Sequence, residues 1–159
     1  MHIEAELMFY EFNTFGENLS AFGYWIHRIG VARSKKITSL HFRVGFAAPL
    51  SGGDSFWQGL EWLAKLPNLR HLELSIDIKD VYRLNQCIRA QPEYTANFPH
   101  HAGIYGRFLS TVKRIRGLHH FTIHNIRKKL SGAHELEDHL RPIVMQPNII
   151  DIARAWRLK

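Results

Sequence analysis

Eleven histidines lie in this chain of 159 residues, enough to raise the question of a metal site first. The segment His134-Glu135-Leu136-Glu137-Asp138-His139 has the composition of a zinc-protease helix. That chemistry needs two histidines at i and i+4, so that both face one ion. Here they stand at i and i+5, which turns them about 140° apart on a helix of 3.6 residues per turn. His100-His101 and His119-His120 are adjacent pairs, and neighbours on a strand point to opposite faces. Cys87 is the only cysteine, so there is no C-x-x-C spacing for a zinc ribbon or finger. These spacings predict no structural or catalytic metal.

Patterns for nucleophilic or phosphate chemistry are equally thin. Ser51-Gly52-Gly53-Asp54-Ser55 is glycine-rich and precedes a helical pattern, a place where backbone N–H groups can hold an anion. It lacks the lysine of G-x-x-x-x-G-K-[ST], and neither G-x-G-x-x-G nor G-x-S-x-G occurs elsewhere. The segment reads as a helix-entry loop. The expectation is a protein without enzymatic activity and without a cofactor.

Charge is more informative. Lysines and arginines outnumber carboxylates to give a formal net charge of +7. A basic excess of this size suits nucleic acid, an acidic protein face or an anionic surface, and it also keeps a protein soluble. Arg33, Lys35 and Lys36 precede one strand pattern, Lys65 and Arg70 flank the next, and Lys113, Arg114 and Arg116 precede a third. In a parallel sheet all of these fall at the N-terminal edge, whereas Arg127, Lys128 and Lys129 follow a strand and fall at the opposite edge. The six residues Arg33, Lys35, Lys36, Lys113, Arg114 and Arg116 are therefore the candidate nucleic-acid contacts.

The elements that must position these side chains come from hydrophobic periodicity. Ile37–Val44, Leu69–Ile76 and Leu118–His124 each read L-x-x-L-x-L with aromatic or branched variants, ending in the period-2 alternation of a strand with one buried face. Between them lie stripes at helical spacing: Leu19, Phe22, Ile26 and Ile29; Phe56, Leu60, Leu63 and Leu66 after Asp54; Val81, Leu84 and Ile88 after Asp80; and Ile104, Phe108, Val112 and Ile115. A shorter helix is expected over His134–Leu140, ending before Pro142. Gln91–Ala102, with Pro92 and Pro99, reads as a loop.

Strands alternating with helices predict a parallel sheet with crossover helices. A sheet covered on both faces would read as continuous apolar runs, so the alternation predicts helices on one face only. The fold expected is a single α/β domain over residues 1–159: an open sheet of short parallel strands alternating with amphipathic helices, like a leucine-rich repeat. The spacing is irregular. Leu40 to Leu72 spans 32 residues and Leu72 to Phe121 spans 49, against about 20–29 in regular repeats.

Glu4-Ala5, Phe9-Tyr10 and Asn13-Thr14-Phe15, then Phe22…Trp25-Ile26…Ile29-Gly30 with a basic linker and Ile37…Leu40, then Trp57…Leu60…Leu63-Ala64…Leu66-Pro67-Asn68-Leu69…Leu72-Glu73-Leu74, resemble uncharacterised fungal F-box-like proteins over roughly residues 3–76. The resemblance implies that Ile3–Tyr10 is helix and that a short strand follows at Asn13-Thr14-Phe15. An F-box, which recruits a ubiquitin-ligase adaptor, would precede this region. None is read within these residues.

Aligning the three repeats gives outward rows Ser39/His71/His120, His41/Glu73/Thr122 and Arg43/Ser75/His124. Adjacent strands are about 4.8 Å apart, so these side chains form one polar surface, of the kind repeat proteins use to bind partners. His41, Arg43, His71, Glu73, His120 and His124 are the candidate contacts for a protein of unknown identity. Cover by Gln91–Ala102 or by the C-terminal segment is the competing expectation. A lone cysteine, the absence of a basic-then-apolar leader and the lack of any apolar run near 18 residues predict a cytoplasmic or nuclear protein that does not enter a membrane.

Overall fold

The computed structural model describes residues 15–47, 54–90, 97, 99–126 and 133–157. Four strands, Phe15–Asn18 (β1), Ser39–Val44 (β2), His71–Ile76 (β3) and His120–Asn125 (β4), pair in sequence order, every pair parallel. Six helices alternate with them or follow them: Leu19–Ser34 (α1), Asp54–Leu63 (α2), Ile78–Ile88 (α3), Pro99–Val112 (α4), Ala133–Val144 (α5) and Ile149–Arg157 (α6). The open parallel α/β sheet expected from the alternation is present, with β1 added at one side.

Register stacks like on like. Leu40 pairs with Leu72 and Leu72 with Phe121; Phe42 pairs with Leu74 and Leu74 with Ile123. All six are buried in one core with Phe22 and Ile26 of α1, Leu60 and Leu63 of α2, and Phe108 and Val112 of α4. Burying one such side chain contributes about 1.5–3 kcal/mol. Phe46, Phe56, Tyr105 and Phe108 fill one end of this core, with Phe46 4.6 Å from Tyr105 and 5.1 Å from Phe108 between ring centres. Beside them the Tyr105 hydroxyl donates to Asp80 at 2.6 Å and accepts from Arg83 at 3.1 Å. Burial, followed by the Asp80 contact, holds that phenol well above its ordinary range.

Two helices meet at backbone contact. A Cβ at Gly59 of α2 would stand 2.2 Å from the carbonyl oxygen of Leu19, and one at Gly23 of α1 would stand 2.4 Å from that of Ser55. Only glycine permits this approach. Asn18 caps α1 by accepting from the Ala21 N–H at 2.8 Å. The helix bends at Gly30, whose φ of 78° lies in the left-handed region.

The β4 side of the sheet is closed by side chains. In β4 the Ile123 N–H donates to Glu137 at 2.6 Å, while Arg141 donates to the Phe121 carbonyl at 3.4 Å and pairs with Glu137. One turn of α5 thus supplies the acceptor and donor that a further strand would offer. Leaving such a buried N–H without its acceptor costs about 1–3 kcal/mol.

Three expectations need correction, and one element is new. Residues 99–102 are helical rather than loop, as is Asn97, and they lead into the helical stripe Ile104, Phe108 and Val112; residues 91–96 and 98 lie outside the described residues. Helix α3 begins at Ile78, not after Asp80, since Asp77 is the cap and accepts from the Lys79 N–H at 3.1 Å. Helix α5 runs through Pro142 to Val144. The proline forfeits one helical bond near the end, while the Val144 and Gln146 carbonyls beyond it accept from Leu118 and Gly117 at 3.2 and 2.7 Å. Helix α6 was not expected. Asn148 and Asp151 cap it reciprocally, Asn148 accepting from the Asp151 N–H at 2.9 Å and Asp151 from the Asn148 N–H at 3.4 Å. The helix and strand expected within Ile3–Tyr10 and at Asn13-Thr14 lie outside the described residues, as do Arg127, Lys128 and Lys129.

The glycines make opposite demands that a denaturation series separates. Gly59→Ala should destabilise the protein by about 1–3 kcal/mol through overpacking. Gly106→Ala, in α4 with open space around its Cβ position, should stabilise it by about 0.5–1 kcal/mol. Equal midpoints for the two variants would contradict the backbone contact between α1 and α2.

Candidate functional site

The face of the sheet opposite the core carries the side chains that alternate with the buried ones. Burial along β2 and β3 switches residue by residue, and the polar members are half-buried or exposed. Pairing sets Ser39 beside His71 and His71 beside His120 in one row, His41 beside Glu73 and Glu73 beside Thr122 in the next, and Arg43 beside Ser75 and Ser75 beside His124 in the third. The rows are those expected from the repeats. Among the described residues no segment buries them: His71, His120, His124 and Arg43 are exposed, and His41 and Glu73 half-buried.

Glu73 is the centre of this surface. One carboxylate oxygen lies 3.8 Å from His120 Nε2 and the other 3.4 Å from His124 Nε2. The His41 ring stands 6.4 Å from that of His124, and the His71 ring 6.1 Å from that of His120. His41 Nε2 shares a hydrogen bond with the Ser75 hydroxyl at 2.8 Å, and His120 Nε2 shares one with Thr122 at 2.9 Å. The result is four imidazoles, one carboxylate, one guanidinium and small hydroxyls on three rigid strands. A surface of this kind can donate and accept hydrogen bonds in register with a partner.

Ser75 and His41 have the spacing of a nucleophile and its base. Catalysis would also need a third group to orient the imidazole and free donors for an oxyanion. The two Glu73 oxygens turn to His120 and His124, and the β3 backbone is paired on both sides. The bond orients His41. Among the described residues no three His, Cys, Asp or Glu side chains converge to hold a metal ion. The Cys87 thiol is pushed up by burial and lies 4.0 Å from the Ala102 carbonyl, so it lacks the acidity of a reactive thiol.

The basic residues do share the N-terminal edge, as the parallel order requires, but several are engaged. Arg114 pairs with Glu61 at 2.9 Å, Arg70 with Asp151 at 2.8 Å, and Arg116 donates to the Ile115 carbonyl at 2.8 Å and to that of Lys113. Lys35 is exposed and Lys36 and Lys113 half-buried at the same edge. Arg33 is exposed at the end of α1. A cleft of about 500 Å³ on the helical layer, which the sequence did not signal, is lined by His27, Trp57, Trp62, Lys65 and Arg107. Its cations already sit over indole faces, Arg107 at 4.2 Å from Trp57 and Lys65 at 5.7 Å from Trp62.

No protein-family model, no curated protein and no solved structure matches the chain.

The remaining histidine of note lies outside this face. His139 is half-buried on α5, and its Nε2 has no hydrogen-bond partner among the described residues. Burial, then the nearby Lys113 charge, lowers its pKa below the ordinary 6.5. The folded state therefore binds fewer protons than the unfolded one as pH falls below 6.5. Stability present above that pH is lost as pH drops toward the folded value. The His139 imidazole resonance should titrate below pH 6.5, and Lys113→Met should move the midpoint upward in part. A midpoint at or above 6.5 contradicts the buried placement.

Proposed function

We propose that this protein is a non-enzymatic interaction module that binds another protein through the open face of its sheet, in the manner of the repeat portion of fungal F-box-like leucine-rich-repeat proteins. The observation that carries this reading is the register: His41, Arg43, His71, Glu73, His120 and His124 occupy three neighbouring rows on the face the helices leave open. Rigid strands present these groups with little ordering to complete on binding, which favours affinity. The mixed composition, with histidine, arginine and glutamate able to donate and accept, suits a polar protein surface rather than a small apolar ligand. No bound cofactor enters this reading. Its setting is the cytoplasm or nucleus, and no helix among the described residues is long and apolar enough to cross a membrane. The alternative, a nucleic acid on the basic edge, is weakened by the partners that Arg70, Arg114 and Arg116 already have within the fold.

Affinity purification of the wild-type protein beside two variants separates these readings. His71→Ala with Glu73→Ala should remove the co-purifying protein while changing stability by no more than about 0.5 kcal/mol, as exposed substitutions usually do. Reversing the charge of Lys35, Lys36, Lys113 and Arg114 should leave that protein bound. Loss on charge reversal alone, with nucleic acid recovered from the wild type and a steep salt dependence, would overturn the proposal.

A further inference from the structure

The edge of the sheet where the strands begin is laced into one surface by side chains. The Asn68 amide donates to the Lys35 carbonyl at 2.5 Å, joining the turns before β2 and β3. Arg70 donates to the Gly117 carbonyl at 3.0 Å and pairs with Asp151, and Asn148 donates to the Pro67 carbonyl at 3.2 Å, joining the turns before β3 and β4 to the start of α6. Four stretches of chain therefore meet at this end of the molecule: 33–38, 64–70, 113–119 and 145–151, from which the rest of α6 continues.

Their charge is lopsided. Together they hold eight Lys and Arg residues against one carboxylate of their own, Asp151, and Glu61 of α2, which pairs with Arg114. That leaves a net of six positive charges at this edge, nearly the whole of the chain's net of seven. Asp151 is neutralised by Arg70. Helix α6, anchored at this edge by Asn148 and Asp151, carries apolar side chains in the open. Trp156 is 76% exposed, Ile152, one turn away on the same side of α6, is 48% exposed, and Met145, in the turn that leads into α6, is 40% exposed. Elsewhere among the described residues, the large exposed apolar side chains are Tyr24, Val31 and Tyr82.

We infer that α6 and the basic turns beside it form a second docking surface, for an acidic amphipathic segment of a partner protein. Tryptophan and arginine are the side chains on which interface energy concentrates. Field and apolar group would act together: the positive edge draws an acidic chain in, and Trp156, Ile152 and Met145 receive its apolar side chains. A nucleic acid would use the charges and could stack on Trp156, but Ile152 and Met145 offer nothing to bases or phosphates. The apolar side chains of this surface are on α6 and at the turn before it, whereas those of the open face are on the strands, so separate substitutions test the two sites.

Fluorescence anisotropy with a labelled synthetic helical peptide, Leu at i, i+3, i+4 and i+7 and Glu elsewhere, tests this directly. Trp156→Ala and Ile152→Ala should each weaken binding about tenfold or more, with circular dichroism and the melting midpoint unchanged. Lys35→Glu with Lys36→Glu should weaken it and flatten its salt dependence, and His71→Ala with Glu73→Ala should leave it alone. The same peptide with Ser replacing every Leu should bind at least about tenfold less tightly. The proposal is overturned if the peptide fails to bind, if both peptides bind equally, or if a single-stranded oligonucleotide of matching charge binds more tightly than the peptide. It is also overturned if sedimentation shows the patch closed by a second copy of the chain that Trp156→Ala releases.

Discussion

Parallel pairing in register binds the two faces of this sheet to each other. A strand alternates its side chains, so the register that sets Leu40 beside Leu72 and Phe121 on the core side also sets Ser39, His71 and His120 in a row on the other. A slip of one residue between any two strands would turn apolar side chains to the open face and imidazoles into the core. The core holds the polar face in place, because Leu40, Leu72 and Phe121 are almost wholly buried and cannot be moved outward without losing that burial. The arrangement of candidate contacts is in this sense a by-product of packing.

Local devices keep the register where it is. The backbone contact of Gly23 and Gly59 brings α1 and α2 together over the core, and the bend at Gly30 interrupts α1 before the chain enters β2. At the other side, Glu137 and Arg141 bond the outer edge of β4, where no further strand pairs among the described residues. An open parallel edge is a template for unwanted pairing, and a buried carboxylate with its own arginine occupies it. The bidentate pair of Arg89 with Glu135 links α3 to the same helix from outside.

Much of this was legible in the residues. Period-2 alternation in Leu72-Glu73-Leu74-Ser75-Ile76 and the helical stripe Phe56, Leu60, Leu63 carry the strand, the helix and the one-sided burial, because both patterns are long enough to average over local chemistry. The outward rows came from the same alternation. Three features were not legible for physical reasons. Asp77 and Asp80 both suit a cap, and only the chain direction after Ile76 selects the first. Pro142 normally ends a helix, and the path of the chain beyond it depends on bonds from Gly117 and Leu118, distant in sequence. Helix α6 had a local signal, Asn148 three residues before Asp151 with Ile149, Ile152 and Trp156 at helical spacing, but its place at the sheet edge depends on Arg70, 81 residues away from Asp151.

Histidine footprinting by carbethoxylation, read by mass spectrometry on the free protein and on its purified complex, tests the role of the open face most directly. In the free protein His71, His120 and His124 should react readily and His139 slowly. In the complex His71, His120 and His124, together with His41, should become protected as a group, while His27 and His134, exposed on α1 and α5, react as before. A complex in which the four face histidines react at their free rates would contradict the account.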